Sequence, residues 1–572
     1  MIPESIRSSV EQWMAYDDAT RRAIEHLVAE NPQELQEAFC DNLAFGTGGM
    51  RGLMGVGPNR INPHTVRQAT VGLARHLRQQ HPQRELRVAV AYDTRHQSES
   101  LARTAAEVLT AHGVRVYLYH GPRPTPQLSY TVRALHCQAG IVITASHNPK
   151  EYNGYKVYGQ DGGQIVAPED AQIMEHVARC RREDAPLPPA DPSLITPIDG
   201  QLDEAYINAL LSTLRRPEAV AAHPALPVVY TPIHGAGASM LPALLRRAGF
   251  TGVHTLAAQQ SPDGAFPTVQ SPNPEEPTAM ALACQKAEEL GATLVLGTDP
   301  DADRLGAYVR NAQGQLQRLD GNQIAVLLAH YLLQSQPPSD GSPAYIVRTI
   351  VTTPMLDLLA ADHGLPTLRV LTGFKYIASV MAREQRQHPT RRFLFGAEES
   401  HGYLATTEVR DKDALQSAML LCEMAAHHHA RGENLMDVLH GLYARHGAFV
   451  SALRSITLTG SQGQREVQRR MRQLREKPPA SLGGEALIAR YDYASGLCAR
   501  ADGTQEKIDL PPSDVLQFQT EHATITVRPS GTEPKMKYYI SLRGPYTGHE
   551  GLAALQRSAE RLLEDFAQRD AP

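Results

Sequence analysis

The chain has 572 residues, 42% of them hydrophobic and 20% charged, with a mean hydropathy of −0.34. At roughly 150 residues per domain it is too long for one core and suits about four globular domains. Lys plus Arg number 56 against 61 Asp plus Glu, a net charge of −5. That balance argues against a nucleic-acid or membrane-surface binder, yet leaves room for a locally cationic pocket. The six cysteines, at 40, 137, 180, 284, 422 and 498, form no CxxC pair, so neither a disulfide framework nor a cysteine zinc site is expected. The N-terminal stretch is acidic and polar, and no apolar run approaches the roughly 18 residues of a membrane span. A reduced cytoplasm is the expected compartment.

After an amphipathic lead-in, Val66, Ala69, Leu73 and Leu77 recur at helical spacing. Short β-rich runs follow at 86–93, 114–119 and 139–144 with helical stretches between them, the pattern of a largely buried sheet in an α/β layer. The Pro-rich segment 185–197 reads as a linker. The alternation restarts with LPVVYT (226–231) and ATLVLG (292–297), and again near Gly321 with AYIVRTI, TLRVL and RRFLFG. From about residue 445 the order changes to strand-like and helix-like runs in a smaller α+β arrangement. The expected domains are 1–205, 206–320, 321–445 and 446–572.

Five segments can carry chemistry. In GTDPDADRLG (297–306), Asp299, Asp301 and Asp303 alternate just after an apolar strand, which can turn three carboxylates toward one hard cation such as Mg²⁺. An EF-hand fails, because Arg304 and Arg310 stand where Gly and Glu belong. Three solvated loop aspartates remain the alternative. In ITASHNPKEYNGYKVY (143–158), Ser146 and His147 sit at a strand end, where ligands gather in α/β layers, between the turn formers Asn148-Pro149 and Asn153-Gly154. Ser146 is in no GxSxG elbow, so a hydrolase reading lacks support.

In VRPSGTEPKMKYYI (527–540), Arg528, Ser530, Thr532 and Lys537 frame a turn at Gly531, a combination suited to a phosphate dianion or to a plain charged hairpin tip. LFGAEESHGY (394–403) offers Glu398, Glu399, Ser400 and His401, and Arg51 lies in the glycine-rich FGTGGMRGLMGVGPNR (45–60). The His427-His428-His429 run points in different directions on a helix and is discounted as a metal site, and Trp13 reads as packing.

In order and spacing, ASHNP, DPDADR, GAEESHG and RPSGTEPK resemble the α-D-phosphohexomutase superfamily across nearly the whole chain. FGTGGMRG, GPNRIN, YTPIHGAG and TGFKYI look like the branch of bacterial α-phosphoglucomutases and animal phosphopentomutases. The resemblance implies three successive α/β domains and a C-terminal α+β domain of the TATA-binding-protein-like kind around a central cleft. It implies a phosphosugar mutase that interconverts glucose 1-phosphate and glucose 6-phosphate through a phosphoserine and a bisphosphorylated sugar. Glucose 1,6-bisphosphate would be intermediate and activator. Ser146 would carry the phosphoryl group, with Mg²⁺ held by Asp299, Asp301, Asp303 and a phosphate oxygen.

By the same resemblance, His147 and Lys156 are candidates for proton transfer, and Arg51 and Arg304 lie near the transferred phosphate. Glu398 and Ser400 would grip sugar hydroxyls, and Lys375 and Lys412 would face substrate. Arg528, Ser530, Gly531, Thr532 and Lys537 would hold the second phosphate on a movable domain. The expected partner is a small phosphosugar, with neither nucleic acid nor membrane. Phosphomannomutase, phosphopentomutase, bisphosphate synthase and a non-catalytic sugar-phosphate sensor are the alternatives. Lys537 stands where many relatives have Arg, and Ala397 and His401 depart near the sugar loop, which bears on substrate preference.

Overall fold

The computed structural model describes residues 2–43, 49–183, 189–198, 200–335, 343–458, 463–530 and 535–569. Two compact units emerge: Met1–Tyr308 with Met381–Gln387 and Gly402–His427, and Val309–Val380 with His388–His401 and His428–Pro572.

The first unit begins with helices Glu4–Met14, Asp18–Glu30 and Pro32–Phe39, capped in part by Asp17 and Asn31. Their apolar faces bury Ile6, Val10, Trp13, Ile24 and Phe39 together, so Trp13 is packing. A six-stranded sheet follows, in the order Met50–Leu53, Tyr152–Gly159, Ala139–Ile143, Arg87–Tyr92, Arg115–Tyr119 and Ile195–Ile198. The last four strands run parallel, with helix Pro63–Gln80 before the first of them in sequence and Ser98–Ala111 between the first and the second. The apolar residues Val88, Val90, Ile141 and Ile143 are all fully buried against these helices.

Two sequence expectations change here. The end of the supposed linker is a one-turn helix, Pro192–Leu194, and an edge strand. Ile198 packs in a core with Tyr119 and Leu128, and an edge position has no next strand to miss the N–H of Pro197. Asn153-Gly154 is no turn either, but lies inside the strand Tyr152–Gly159. A Cβ on Gly154 would fall 2.5 Å from the Thr144 carbonyl and 2.7 Å from that of Met50, so close backbone approach explains the glycine.

The unit continues with parallel strands Val253–Thr255, Val228–Thr231 and Leu294–Thr298. Their carboxyl ends lead into the His234 and Asp299 loops.

In the second unit, Thr367–Val370, Ala344–Thr349 and Arg392–Glu398 form parallel pairs, with helix Gly321–Ser335 burying a mostly apolar face. The C-terminal sheet has seven strands in the order Ala448–Thr457, Lys535–Gly544, Ala523–Pro529, Leu516–Gln519, Ala489–Asp492, Leu497–Arg500 and Gln505–Lys507. Helices Gly463–Glu476 and Gly548–Arg569 supply Met471, Leu563 and Phe566 to its core. Among the described residues no helix is long and apolar enough to cross a membrane.

Candidate active site

Ser146 sits just past the carboxyl end of Ala139–Ile143, almost fully buried, with a left-handed φ of 53°. That backbone costs a non-glycine residue about 1–3 kcal/mol and persists only where surrounding contacts impose it. Its amide donates to Thr144 Oγ1 at 2.8 Å, and its hydroxyl donates to Asp299 Oδ2 at 2.7 Å. His147 Nδ1 is 3.2 Å from the same hydroxyl oxygen. Burial first, then Arg304 and Arg51, push the His147 imidazole well below its ordinary range, so it is neutral at pH 7.

The aspartates follow Leu294–Thr298, the neighbouring carboxyl-end position of the second parallel sheet. Asp299, Asp301 and Asp303 are buried, and one oxygen of each lies within 4.8 Å of the others. The amides of Asp303 and Arg304 both donate to Asp299 Oδ1 at 3.1 Å, while Thr125 Oγ1 donates to Asp301 Oδ2 at 2.9 Å. Ala302, at φ 52°, lets the chain fold back so that the alternating side chains converge.

Two lysines face these acids. Lys156 Nζ is 2.9 Å from Asp301 Oδ2 and 3.5 Å from Asp303 Oδ2, and Lys412 Nζ is 2.8 Å from Asp303 Oδ2. Burial raises the Asp299 carboxyl well above its ordinary value, helped by repulsion from Asp301 and Asp303. Burial works the same way on Asp301, but Lys156 and hydrogen bonds from Asp299 and Lys156 hold it below its ordinary value. Lys156 and Lys412 reach one oxygen each of Asp301 and Asp303 and leave the other oxygens uncovered. Asp301 Oδ1 and Asp303 Oδ1 are buried without a hydrogen-bond partner among the described residues. All-oxygen donors with two such atoms fit a hard divalent cation, Mg²⁺ before zinc.

Of the other residues expected here, Arg51 pairs across the sheet with Gly154 and donates to Asn148 Oδ1 at 3.0 Å. Arg304 Nη1 is 2.6 Å from Glu275 Oε1. Lys412, expected to face substrate, bonds an aspartate of the triad, and its neighbour Asp411 accepts from Tyr158 at 2.7 Å. Asp93, Arg95, Thr125 and Asp411 carry no role in the sequence reading. Asp93 and Arg95 had a signal, an acid and a base just past the carboxyl end of a buried strand; Thr125 and Asp411 had none.

In the second unit, Glu398 ends the strand Arg392–Glu398 and is buried, and Ser400 is half-buried beside His401 at φ 62°. Thr349 Oγ1 donates to Glu399 Oε2 at 3.3 Å, and Gly321 packs so tightly that a Cβ would overlap the Glu399 carbonyl. Lys375 is buried at the start of helix Phe374–Gln387. Arg528 and Lys537 stand opposite each other on paired strands, and the Ser530 amide donates to the Lys535 carbonyl at 2.7 Å. Gly531 and Thr532 lie outside the described residues.

Models described as phosphoglucomutase/phosphomannomutase α/β/α domains I, II and III match residues 42–183, 204–314 and 320–446. A phosphoglucomutase of Staphylococcus epidermidis is 37% identical over 524 residues, covering 90% of this chain and 93% of its own. One from Staphylococcus haemolyticus is 35% identical over 533 residues, covering 93% and 96%. Among solved structures, a putative phosphomannomutase from Thermus thermophilus superposes with TM-score 0.67 at 24% identity, covering 92% of this chain and 99% of its own. The phosphoglucomutase pp63/parafusin of Paramecium does so with TM-score 0.69 at 17% identity, covering 92% and 96%. The fold is therefore three α/β/α layers followed by a β-rich C-terminal domain. With three domain models in order and relatives above 30% identity along most of its length, the chain belongs to the phosphoglucomutase/phosphomannomutase family.

Proposed function

We propose that the chain is a phosphosugar mutase that interconverts glucose 1-phosphate and glucose 6-phosphate, with Ser146 as the phosphoryl carrier. The observation that carries this reading is Ser146 Oγ, held in a strained, buried turn at 2.7 Å from Asp299 Oδ2 in a buried carboxylate triad. A solvated loop would produce neither the burial nor the convergence. The relatives named phosphoglucomutase support glucose phosphates as substrates.

The first step breaks the phosphorus bond to Ser146 Oγ and forms one to a sugar hydroxyl oxygen, whose proton leaves to a base. Ser146 Oγ takes up one proton in place of the phosphorus bond, so a sugar bisphosphate and a free serine result. After the bisphosphate reorients, its other phosphoryl group returns to Ser146 and the isomeric monophosphate is released. Such transfers depend on positioning and charge neutralisation. A Mg²⁺ ion bound by Asp299, Asp301, Asp303 and a phosphate oxygen would withdraw charge from the transferred phosphoryl group. His147, with Nδ1 3.2 Å from Ser146 Oγ, is within reach to exchange a proton with that oxygen during transfer. Lys156, 2.9 Å from Asp301 Oδ2 and 3.5 Å from Asp303 Oδ2, offsets the charge of these acids and takes part in proton transfer, while Arg51 and Arg304 add fixed charge for the phosphoryl oxygens. Lys412 belongs to the same charge set. Glu398, Ser400 and Lys375 serve the sugar, and Arg528, Ser530, Gly531, Thr532 and Lys537 serve the non-reacting phosphate.

Purified protein incubated with glucose 1,6-bisphosphate should gain about 80 Da at Ser146, one phosphoryl group. Ser146→Ala should lose turnover while melting like the parent; retained turnover would sink the phosphoserine route. Parallel assays on glucose, mannose and ribose 1-phosphates decide the sugar, glucose being expected fastest.

A further inference from the structure

One buried side chain organises the Ser146 turn without entering the chemistry above. Arg95 has a side chain with no solvent exposure. Its guanidinium donates to four backbone carbonyls of the turn: through Nη2 to Ser146 and Asn148, and through Nη1 to Pro149 at 2.8 Å and Tyr152 at 3.1 Å. Its Nε is 3.2 Å from Asp93 Oδ2. Asp93, also buried, accepts from Thr144 Oγ1 at 2.6 Å, from Ser98 Oγ at 2.7 Å and from the Arg95 amide at 2.9 Å. Thr144 Oγ1 in turn accepts from the Ser146 amide. The nucleophile's amide and carbonyl therefore both end in the same Asp93–Arg95 pair.

A second loop seats this pair. The Arg95 Cζ lies 5.2 Å from the centre of the Phe266 ring, and Gly264 is so close that a Cβ would fall 2.4 Å from the His96 amide nitrogen. His234 of the YTPIHGAG segment pins that loop from both ring nitrogens, to the Ser261 carbonyl at 3.1 Å and Thr268 Oγ1 at 3.0 Å. Two residues on, the Ala236 amide donates to the Pro300 carbonyl at 2.8 Å, inside the aspartate loop. One run of residues thus touches both the support of the serine loop and the metal-type loop.

We propose that Arg95 is a positioning residue for phosphoryl transfer: with Asp93 and the Phe266 loop it holds Ser146 in its left-handed turn and in register with Asp299. The inference rests on Ser146 being the phosphoryl carrier. A planar fork reaches four carbonyls and a carboxylate at once, whereas a lysine presents three protons from a single point, so Arg95→Lys keeps the charge and loses the geometry. A misplacement of about 1 Å costs about 100-fold in rate.

The test compares parent, Arg95→Lys and the near-isosteric Thr144→Val, which breaks the same frame with little change of volume. Arg95→Lys should lower kcat by about 100-fold, with KM for glucose 1-phosphate within about twofold and a cooperative melt retained. The rate at which glucose 1,6-bisphosphate charges Ser146, followed by intact mass, should fall by the same factor. Thr144→Val should show the same split, about tenfold in kcat and charging. If Arg95→Lys does not fold, Thr144→Val decides alone. Parent-like charging and kcat in a folded Arg95→Lys, or in Thr144→Val, would overturn the proposal. A parent protein that neither charges at Ser146 nor turns over glucose 1-phosphate would instead overturn the mutase reading, and this inference with it.

Discussion

Asp301 shows how a residue's surroundings set its chemistry. It is one of three buried acids, yet Lys156 and the hydrogen bonds around it keep its carboxyl below the ordinary range while Asp299 and Asp303 are pushed up. Replacing Asp301 with Asn removes the charge that Lys156 neutralises and one ligand of the triad. Activity should fall by at least about 100-fold, and the remaining rate should depend far less on Mg²⁺, as read from a metal titration of the mutase assay. An unaffected rate would mean that the triad is not the metal site. Ser146, Asp299, Asp301 and Asp303 were legible as a chemical set because serine at a strand end and alternating acids are local patterns. Lys412 was legible only as a candidate: its partner Asp303 lies more than a hundred residues away, and no local pattern encodes that meeting.

At the scale of elements, the Asn153-Gly154 pair marks where a turn rule loses to packing. Gly154 sits between two carbonyls of neighbouring strands, so Gly154→Ala should destabilise the fold by about 1–3 kcal/mol, measured by urea denaturation. A parent-like midpoint would show that the strands separate more easily than their spacing implies. Helix Gly321–Ser335 offers a pH test. Burial first, then His428, His363, Arg445 and His446, lower the His330 imidazole to about 4. A histidine depressed in the folded state is protonated first in the unfolded chain, so its contribution is whole above about pH 6.5 and is lost as pH falls toward 4. The melting midpoint should drop across that window, and His330→Gln should flatten the drop; an unchanged slope would exclude His330 as its source. The strands between 489 and 519 are not evident from the sequence because they are four residues or shorter and mix polar with apolar side chains, and the sheet, not local periodicity, makes them strands.

At the scale of the molecule, four expected α/β and α+β segments gather into two compact units. The third layer and the C-terminal domain share one apolar cluster, Ile350 and Leu371 from the former with Tyr493 and Val515 from the latter. This shared core speaks against the C-terminal domain moving freely of the third layer. Leu371→Ala should cost about 2–5 kcal/mol, and amide exchange should accelerate in residues 489–519 as well as around 371. Acceleration confined to the third layer would show that the two parts unfold independently.

What the sequence determined by itself were the elements with strong periodicity, the succession of α/β layers and the residue types of the site. Those features depend on neighbours within a few turns of chain, where hydrophobic spacing and loop chemistry act directly. What only the tertiary structure decided were the pairing of Lys412 with Asp303, the Arg95 clamp beneath Ser146, the edge strand inside the Pro-rich segment and the shared core of the second unit. Each depends on burial that brings distant segments together, where an unpaired charge or amide is costly and the fold must supply its partner.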